Sequence, residues 1–255
     1  MTQHYDIQWL TDTFENGTAI DFLFFWGHTN KFNEAAGKFC FSQWYPAPFT
    51  VDGVEYKTAE HWMMAQKALL FDDEKSFDKI IASKTPAEAK KLGRLVLRFD
   101  EIVWNAKGFD IVKQGNIHKF NQHPAFAEYL LGTGEKVLVE ASPVDTIWGI
   151  GLSMESEYIK NIYSWRGLNL LGFVLMEVRD FLKSFGRFEV LKNAMLPPWK
   201  KYPNIHPIDM FWRMGGGEGY VIDFGKYYAA LDEHSKTIYK LTYPTSFEWN
   251  NFYSE

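Results

Sequence analysis

The sequence predicts an α+β fold that is mostly helical, with a few short strands and a C-terminal subdomain. Three observations support this fold class. Capped, periodic helical segments fill most of residues 58–185, strand patterns are short, and a run of prolines between 197 and 207 separates the remainder. At 255 residues the chain can bury a large core and still carry an appendage.

The N-terminal region predicts an arm and two strands. Residues 1–20 show little periodicity, so we expect a loose arm. The apolar run at 20–26 predicts a buried strand, and residues 39–41 predict a second one that buries Cys40. Cys40 is the one cysteine, which excludes an internal disulfide and favours a reducing compartment.

Residues 49–56 predict a β-hairpin, because two short strand segments flank Asp52-Gly53. Further helices are expected at 72–81, 85–94, 100–120, 124–131, 168–185 and about 218–233. A short strand is expected at 136–140 and a glycine-containing loop at 142–153. Gly108 and Gly115 are predicted weak points of the longest helix.

The helix predicted at 58–71, with Thr58 as its N-cap, has two contrasting sides. One side carries Trp62 and Ala65, as a core stripe does. The other carries Glu60 and Lys67, seven residues apart, interleaved with large apolar side chains. Such a mixture suits a pocket wall, although an exposed ion pair beside partly exposed apolar groups would give the same spacing.

Composition limits the possible functions. The net charge of −5 does not favour a protein that holds long nucleic acid, although one local site for a nucleotide remains possible. Basic residues near 84–98 and 183–201 are interpreted as scattered solvated charges. No apolar run approaches membrane-spanning length and the acidic N-terminus does not resemble a signal peptide, so we expect a cytoplasmic protein.

Common catalytic motifs are missing from the sequence. Glu60-His61 has no second histidine at helical spacing, so it is not a zinc motif. The sequence has no G-x-x-x-x-G-K phosphate loop and no G-x-S-x-G elbow. We therefore expect no metal and no cofactor. His118 and His123 are interpreted as surface or capping residues.

Several segments, in order along the chain, together resemble one family. They are Phe41-Ser42-Gln43-Trp44-Tyr45, Glu60-His61-Trp62 with Ala65-Gln66-Lys67, Leu92-Gly93-Arg94, Trp104, Lys119-Phe120, Leu138-Val139-Glu140-Ala141-Ser142, Asp145 with Trp148-Gly149-Ile150-Gly151, and Gly167-Leu168-Asn169-Leu170-Leu171-Gly172. The set resembles the NADAR family, the YbiA-like N-glycosidases. The resemblance implies a compact, mostly helical α+β domain over residues 20–185. It does not cover residues 186–255, which the proline boundary predicts to be an extension packed on that domain.

The resemblance also implies roles for individual residues. The family's essential glutamate falls on Glu60, Lys67 is expected to attack or position the ribose, and Asp145 is a second acid/base or ribose ligand. The expected substrate-binding residues are Ser42, Gln43, Trp44, Arg94, Trp104, Trp148, Gly149, Gly151 and Asn169. Among them, Arg94 and the helix start at Asn169 would hold phosphate, and the two tryptophans at 104 and 148 would stack on a base.

The activity implied by the resemblance is cleavage of an N-glycosidic bond to ribose, most specifically removal of ADP-ribose from guanine. An ADP-ribosyltransferase toxin would then be the enzyme that this protein antagonises. Three alternatives stay open. The first is hydrolysis of phosphorylated ribosylamine intermediates of the riboflavin pathway, and the second is a non-catalytic module that binds ADP-ribose or NAD. The third is an interaction protein in which the C-terminal tail matters most.

Overall fold

The computed structural model describes residues 3–245, 247–249 and 252–253. Residues 246, 250–251 and 254–255 of the expected extension lie outside this part of the chain. The described strands are β1 (Phe22–Phe25), β2 (Phe49–Val51), β3 (Val54–Tyr56) and β4 (Val137–Glu140). The described α-helices are α1 (Ile7–Glu15), α2 (Ala59–Leu70), α3 (Glu74–Ala82), α4 (Pro86–Gly93), α5 (Glu101–Gln122), α6 (Pro124–Leu131), α7 (Leu170–Phe185), α8 (Pro198–Lys201), α9 (Gly215–Ala230) and α10 (Glu233–Thr242).

The strands form two small sheets. β1 and β4 pair in parallel, which places Phe25 beside Glu140, and β2 and β3 form the expected antiparallel hairpin. The predicted α+β class is confirmed, with helices as the dominant element. None of the described helices combines the length and apolar character needed to cross a bilayer.

The helix starts follow local capping chemistry. Thr58, Thr85 and Asp100 lie where the sequence places them, and each side chain accepts a hydrogen bond from a backbone N–H of the first turn. Asp73 does the same for α3. Because these contacts span two or three residues, sequence alone predicts them.

The prediction of a loose N-terminal arm is wrong. Asp6 caps α1 by accepting from the Trp9 N–H at 2.7 Å, and Leu10 is fully buried. The Tyr5 hydroxyl donates to Asp180 of α7 at 2.6 Å. These contacts join α1 to the last helix of the predicted domain, at a sequence separation that local periodicity does not report.

The second predicted strand is also wrong, since Lys38–Phe41 is a short 3₁₀ helix. Phe39, Cys40 and Phe41 are all buried, and the Ser42 N–H donates to the Phe39 carbonyl at 3.2 Å. A run of three buried residues occurs both in a helical turn inside a core and in a strand that is covered on both faces, so the pattern does not distinguish the two.

Helix α2 lies at the centre of the domain and packs against α3, α4 and α5. Gly115 is not a weak point, because α5 continues through it. A Cβ atom at Gly115 would overlap the indole of Trp62, whose Nε1 donates to the Ile111 carbonyl at 2.8 Å. Glycine here permits the close approach of α2 and α5.

The C-terminal extension is helical and contacts α5. Its Gly215-Gly216-Gly217 run starts α9, and α10 follows as a helix that the sequence did not predict separately. His118 is buried, which corrects the surface interpretation, and its Nε2 lies 2.8 Å from the Leu241 carbonyl. Burial lowers the pKa of His118 to about 4, so the neutral ring forms this contact.

Candidate active site

Glu60 lies in the first turn of α2 and is only 4% exposed. Its backbone N–H donates to the Gln43 carbonyl at 3.0 Å, while the side-chain Oε1 is buried and has no hydrogen-bond partner among the described residues. Burial raises the pKa of Glu60 to about 7, Lys90 and the Trp44 indole oppose the rise, and Asp145 adds to it. Glu60 is therefore poised to exchange a proton near neutral pH.

Glu140 is a half-buried residue whose carboxyl group interacts electrostatically with Glu60, and sequence reasoning did not assign it to the site. It ends β4, after three fully buried apolar residues. Burial raises its pKa to about 8, Asp145 and Glu60 contribute to the rise, and Lys90 opposes it. Its Oε2 is buried and has no hydrogen-bond partner among the described residues. The available signal was a lone carboxylate at the end of an otherwise apolar strand.

Asp145 lies in the loop between β4 and α7 and completes an acidic cluster with Glu60 and Glu140. Its Oδ1 accepts from the backbone N–H groups of Ile147 and Trp148 at 2.9 and 2.8 Å. These bonds fix the carboxylate within the loop that carries the half-buried Trp148, and its charge raises the pKa of both Glu60 and Glu140.

The predicted Gly149 and Gly151 shape this loop. A Cβ at Gly149 would lie 2.9 Å from the Glu140 carbonyl oxygen, and Gly151 has a φ of +68°. The Gly151 N–H donates to the Asp145 carbonyl at 3.0 Å. The requirement for glycine at both positions is therefore explained by loop geometry.

The positive charge of the site comes from α4. Lys90 and Arg94 lie one turn apart and both lower the pKa of Glu60. The Lys90 Nζ lies 5.9 Å from the centre of the Trp44 ring. α4 comes this close because Gly93 packs on Met64 of α2, where a Cβ would overlap the methionine side chain. The interpretation of Lys90 as a scattered solvated charge is therefore corrected, because Lys90 interacts with Glu60 and lies near Trp44.

The segment 42–44 is held against the site by α5. The Lys119 Nζ donates to the Ser42 carbonyl at 2.9 Å, and the Gln43 amide donates to Asn116 at 3.1 Å. Ser42 Oγ accepts from the Trp44 N–H at 3.1 Å. The Gln43 side chain is therefore bonded to another residue of the protein. Of the predicted residues Ser42, Gln43 and Trp44, Trp44 is the one whose side chain interacts with Glu60.

Lys67 is not paired with Glu60. Seven residues of helix separate the two by about 10 Å along the axis, and no ion pair joins them within the described chain. The Lys67 Nζ instead lies 3.9 Å from the ring centre of Phe99 and 5.4 Å from that of Trp104. Burial lowers the pKa of Lys67. The predicted Lys67 and Trp104 therefore form a group of their own.

Asn169 has a structural position. It is fully buried, and its side chain accepts from the Glu140 N–H and donates to the Leu138 carbonyl, both at 2.9 Å. The expected free N–H groups at this helix start are absent, because those of residues 168, 170 and 171 donate to carbonyls of residues 146–148. The expectation of a phosphate site at the start of α7 is corrected accordingly.

Two other kinds of site, a large cavity and a metal centre, would be alternative locations for the active site. A cavity of about 1290 Å³ lies between α2, α3, α5 and the C-terminal extension, but none of the acidic cluster lines it. Among the residues that the structure describes, no three His, Cys, Asp or Glu side chains are grouped to hold a metal ion. The acidic cluster on α2, β4 and the following loop is the candidate active site.

Comparison with known proteins identifies the family of the chain. A family model described as the NADAR domain matches residues 24–183, more than half of the chain. The chain belongs to the NADAR family. All three carboxylates, Lys90 and both tryptophans of the cluster lie within this NADAR match.

Individual relatives give the same assignment. The N-glycosidase R617 of Acanthamoeba polyphaga mimivirus is 45% identical over 164 residues, which cover 62% of this chain and 95% of that protein. The chloroplastic riboflavin biosynthesis protein PYRR of Zea mays is 34% identical over 136 residues, 51% of this chain and 20% of that protein. The NMR structure of E. coli YbiA is similar with a TM-score of 0.52 and 26% identity, over 69% of this chain and 94% of that one.

Proposed function

We propose that this NADAR protein is an N-glycosidase that hydrolyses the bond between ribose and a base nitrogen, and that its substrate is ADP-ribosylated guanine. The observation that carries the proposal is the buried carboxyl group of Glu60, held at a helix start among Asp145, Lys90 and Trp44. A relative named as an N-glycosidase, aligned over nearly its whole length, supports the reaction type.

The chemistry of the bond explains why such a group is needed. Cleavage passes through an oxocarbenium-like state with positive charge at the anomeric carbon. Ionised Glu60 stabilises that charge and accepts a proton from the attacking water. Trp44 and Trp148 flank the acids from separate segments and suit stacking against the base, while Lys90 and Arg94 suit a diphosphate.

A covalent role for Lys67 is a separate part of the proposal. Its lowered pKa makes the neutral amine more available, and a neutral amine attacks an aldehyde-level sugar carbon to form a Schiff base. This route is an alternative to the attack of water, because it requires the anomeric carbon to lie beside Lys67, near Phe99 and Trp104, instead of beside Glu60. Borohydride trapping of a Lys67 adduct during turnover tests this role, and a reduced product without an adduct contradicts it.

The riboflavin-pathway reaction is the second candidate. The similarity to a maize protein named for riboflavin biosynthesis favours it. Phosphorylated ribosylamines present the same C1′–N bond and a phosphate for the basic side of the site. Antagonism of an ADP-ribosyltransferase toxin and a cytoplasmic location belong to the first candidate and are proposed with it.

One experiment separates these candidates. The purified protein is incubated with an ADP-ribosylated guanosine oligonucleotide and with the phosphorylated ribosylamine, and the released base is measured. We expect cleavage of the oligonucleotide, with kcat reduced by about 10² to 10⁴ in Glu60→Gln. Glu128→Gln, on the exposed face of α6, is the matched control and should retain activity.

Each other outcome has a defined meaning. Cleavage of the ribosylamine alone would favour the second candidate. Binding of ADP-ribose without turnover of either compound would contradict the enzymatic proposal. Undiminished cleavage by Glu60→Gln would contradict the role assigned to Glu60.

A further inference from the structure

Two of the unpartnered polar atoms in the protein belong to one site. In the described part of the chain, the buried side-chain atoms without a hydrogen-bond partner are Glu60 Oε1, Glu140 Oε2, Trp199 Nε1 and Tyr228 Oη. Trp199 Nε1 and Tyr228 Oη lie in the C-terminal extension, whereas the two carboxyl oxygens lie in the acidic cluster. A buried carboxyl oxygen without a partner is costly, and such groups concentrate where a ligand or a proton is handled.

The backbone of Glu140 is fixed from two directions. Its N–H donates to Asn169 Oδ1 at 2.9 Å, and its carbonyl accepts from the Ile150 N–H at 3.0 Å. The first bond connects Glu140 to the start of α7, and the second connects it to the loop that carries Asp145. The side chain therefore projects from a rigid position, as a group that must meet a substrate does.

We propose that Glu140 is a second catalytic carboxyl group, which holds a proton at neutral pH and donates it to the leaving base nitrogen. The inference rests on the proposed N-glycosidase function and assigns a residue to its leaving-group step. Nothing in the family match or in the names of the relatives assigns this role to Glu140.

The surroundings decide which of the two glutamates holds the proton. Lys90 of α4 acts on both Glu60 and Glu140, and Arg94, the residue after α4, acts on Glu60. The negative charges of Asp145 and Glu60 both disfavour the ionised form of Glu140. Glu60 has the positive end of α2, the Trp44 indole and Arg94 to favour its charged form, whereas Lys90 is the cation that acts on Glu140. The proposal therefore places the proton on Glu140.

The reaction step balances on these two groups. The Glu140 proton passes to the base nitrogen as the C1′–N bond breaks and its electron pair moves to that nitrogen. Water adds to C1′, and its proton passes to the Glu60 carboxylate. The cycle ends with Glu60 protonated and Glu140 ionised, and return of the proton to Glu140 restores the starting state.

A titration without substrate tests the location of the proton. The carboxyl carbons of glutamate are labelled with ¹³C in the wild type, Glu60→Gln, Glu140→Gln and the control Glu128→Gln. We expect two wild-type resonances to titrate above about pH 6, against an ordinary glutamate pKa of 4.5. Glu140→Gln removes the one with the higher pKa, and Glu60→Gln removes the other.

The charge between the two groups gives a further criterion. In Glu60→Gln the remaining resonance, from Glu140, should titrate at lower pH than in the wild type, because a neighbouring negative charge is gone. This variant identifies the Glu140 signal even if Glu140→Gln does not fold. A Glu140 carboxyl group that titrates near its ordinary value would overturn the proposal.

Kinetics with two leaving groups tests the donation itself. The ADP-ribosylated guanosine oligonucleotide needs a proton on its leaving nitrogen, whereas 4-nitrophenyl ADP-ribose releases a stable phenolate. We expect Glu140→Gln to lose about 10² to 10⁴ in kcat/KM on the first substrate and less than about tenfold on the second. An equal loss on both would overturn the role. A wild type that cleaves neither would count against the proposed function, and the titration would then still decide where the proton lies.

Discussion

Replacing Glu60 with glutamine should raise the free energy of unfolding more at pH 8 than at pH 5, relative to the wild type, while it removes activity. Folding raises the pKa of Glu60 from its ordinary value of 4.5 to about 7, chiefly through burial. Between these values the folded state binds more protons than the unfolded state, so this group lowers the free energy of unfolding as pH rises. The loss is small below pH 4.5 and complete above pH 7.

The magnitude follows from the same interval. At about 1.4 kcal/mol per pH unit, wild-type Glu60 lowers the free energy of unfolding by about 3 kcal/mol at pH 8 and about 1 kcal/mol at pH 5. Glutamine at this position does not titrate. The advantage of Glu60→Gln over the wild type should therefore be about 2 kcal/mol larger at pH 8 than at pH 5. Terms that do not depend on pH cancel in this difference.

Urea unfolding followed by tryptophan fluorescence at the two pH values measures this quantity. Glu55→Gln, an exposed change on β3, is the control and should show no such difference. A Glu60→Gln advantage that is equal at pH 5 and pH 8 would refute the argument, because it would mean that Glu60 titrates normally in the folded protein.

Two further predictions test the packing and charge around α2. Gly115→Ala should lower the free energy of unfolding by about 1–3 kcal/mol, because the added Cβ overlaps the Trp62 indole. The control Gly225→Ala, in an open position of α9, should raise it by about 0.5–1 kcal/mol, and thermal unfolding of both variants measures these changes. Lys90→Met removes a cation that lowers the pKa of Glu60 and should move the acidic limb of the pH–rate profile to higher pH, whereas Lys91→Met, on the exposed face of α4, should leave that limb in place.

The fold was predictable where its signals are local. Thr58, Thr85 and Asp100 cap their helices as expected, since the capping bond depends on residues two or three positions away. The N-terminal helix was missed, because its stability depends on partners such as Asp180, far along the chain. The 3₁₀ turn at Lys38–Phe41 was missed, because consecutive buried residues carry no period.

The site divides in the same way. Glu60 was predicted from its place in a helical turn and from the family resemblance, and the structure places it in the acidic cluster. The alternative of an ion pair between Glu60 and Lys67 is not what the structure shows, because the Lys67 amine lies on Phe99. Glu140 and Lys90 were missed, although both were visible in the sequence as a carboxylate ending an apolar strand and a lysine one turn before Arg94.

The sequence by itself determined the helical α+β class, the helix starts and the family, because these depend on neighbouring residues and on the order of motifs. Only the tertiary structure decided which charges meet. Glu60, Glu140 and Asp145 come from α2, β4 and a loop, and their shared burial raises the pKa of both glutamates. Burial and charge act through space, so no spacing along the chain reports that these acids form one site.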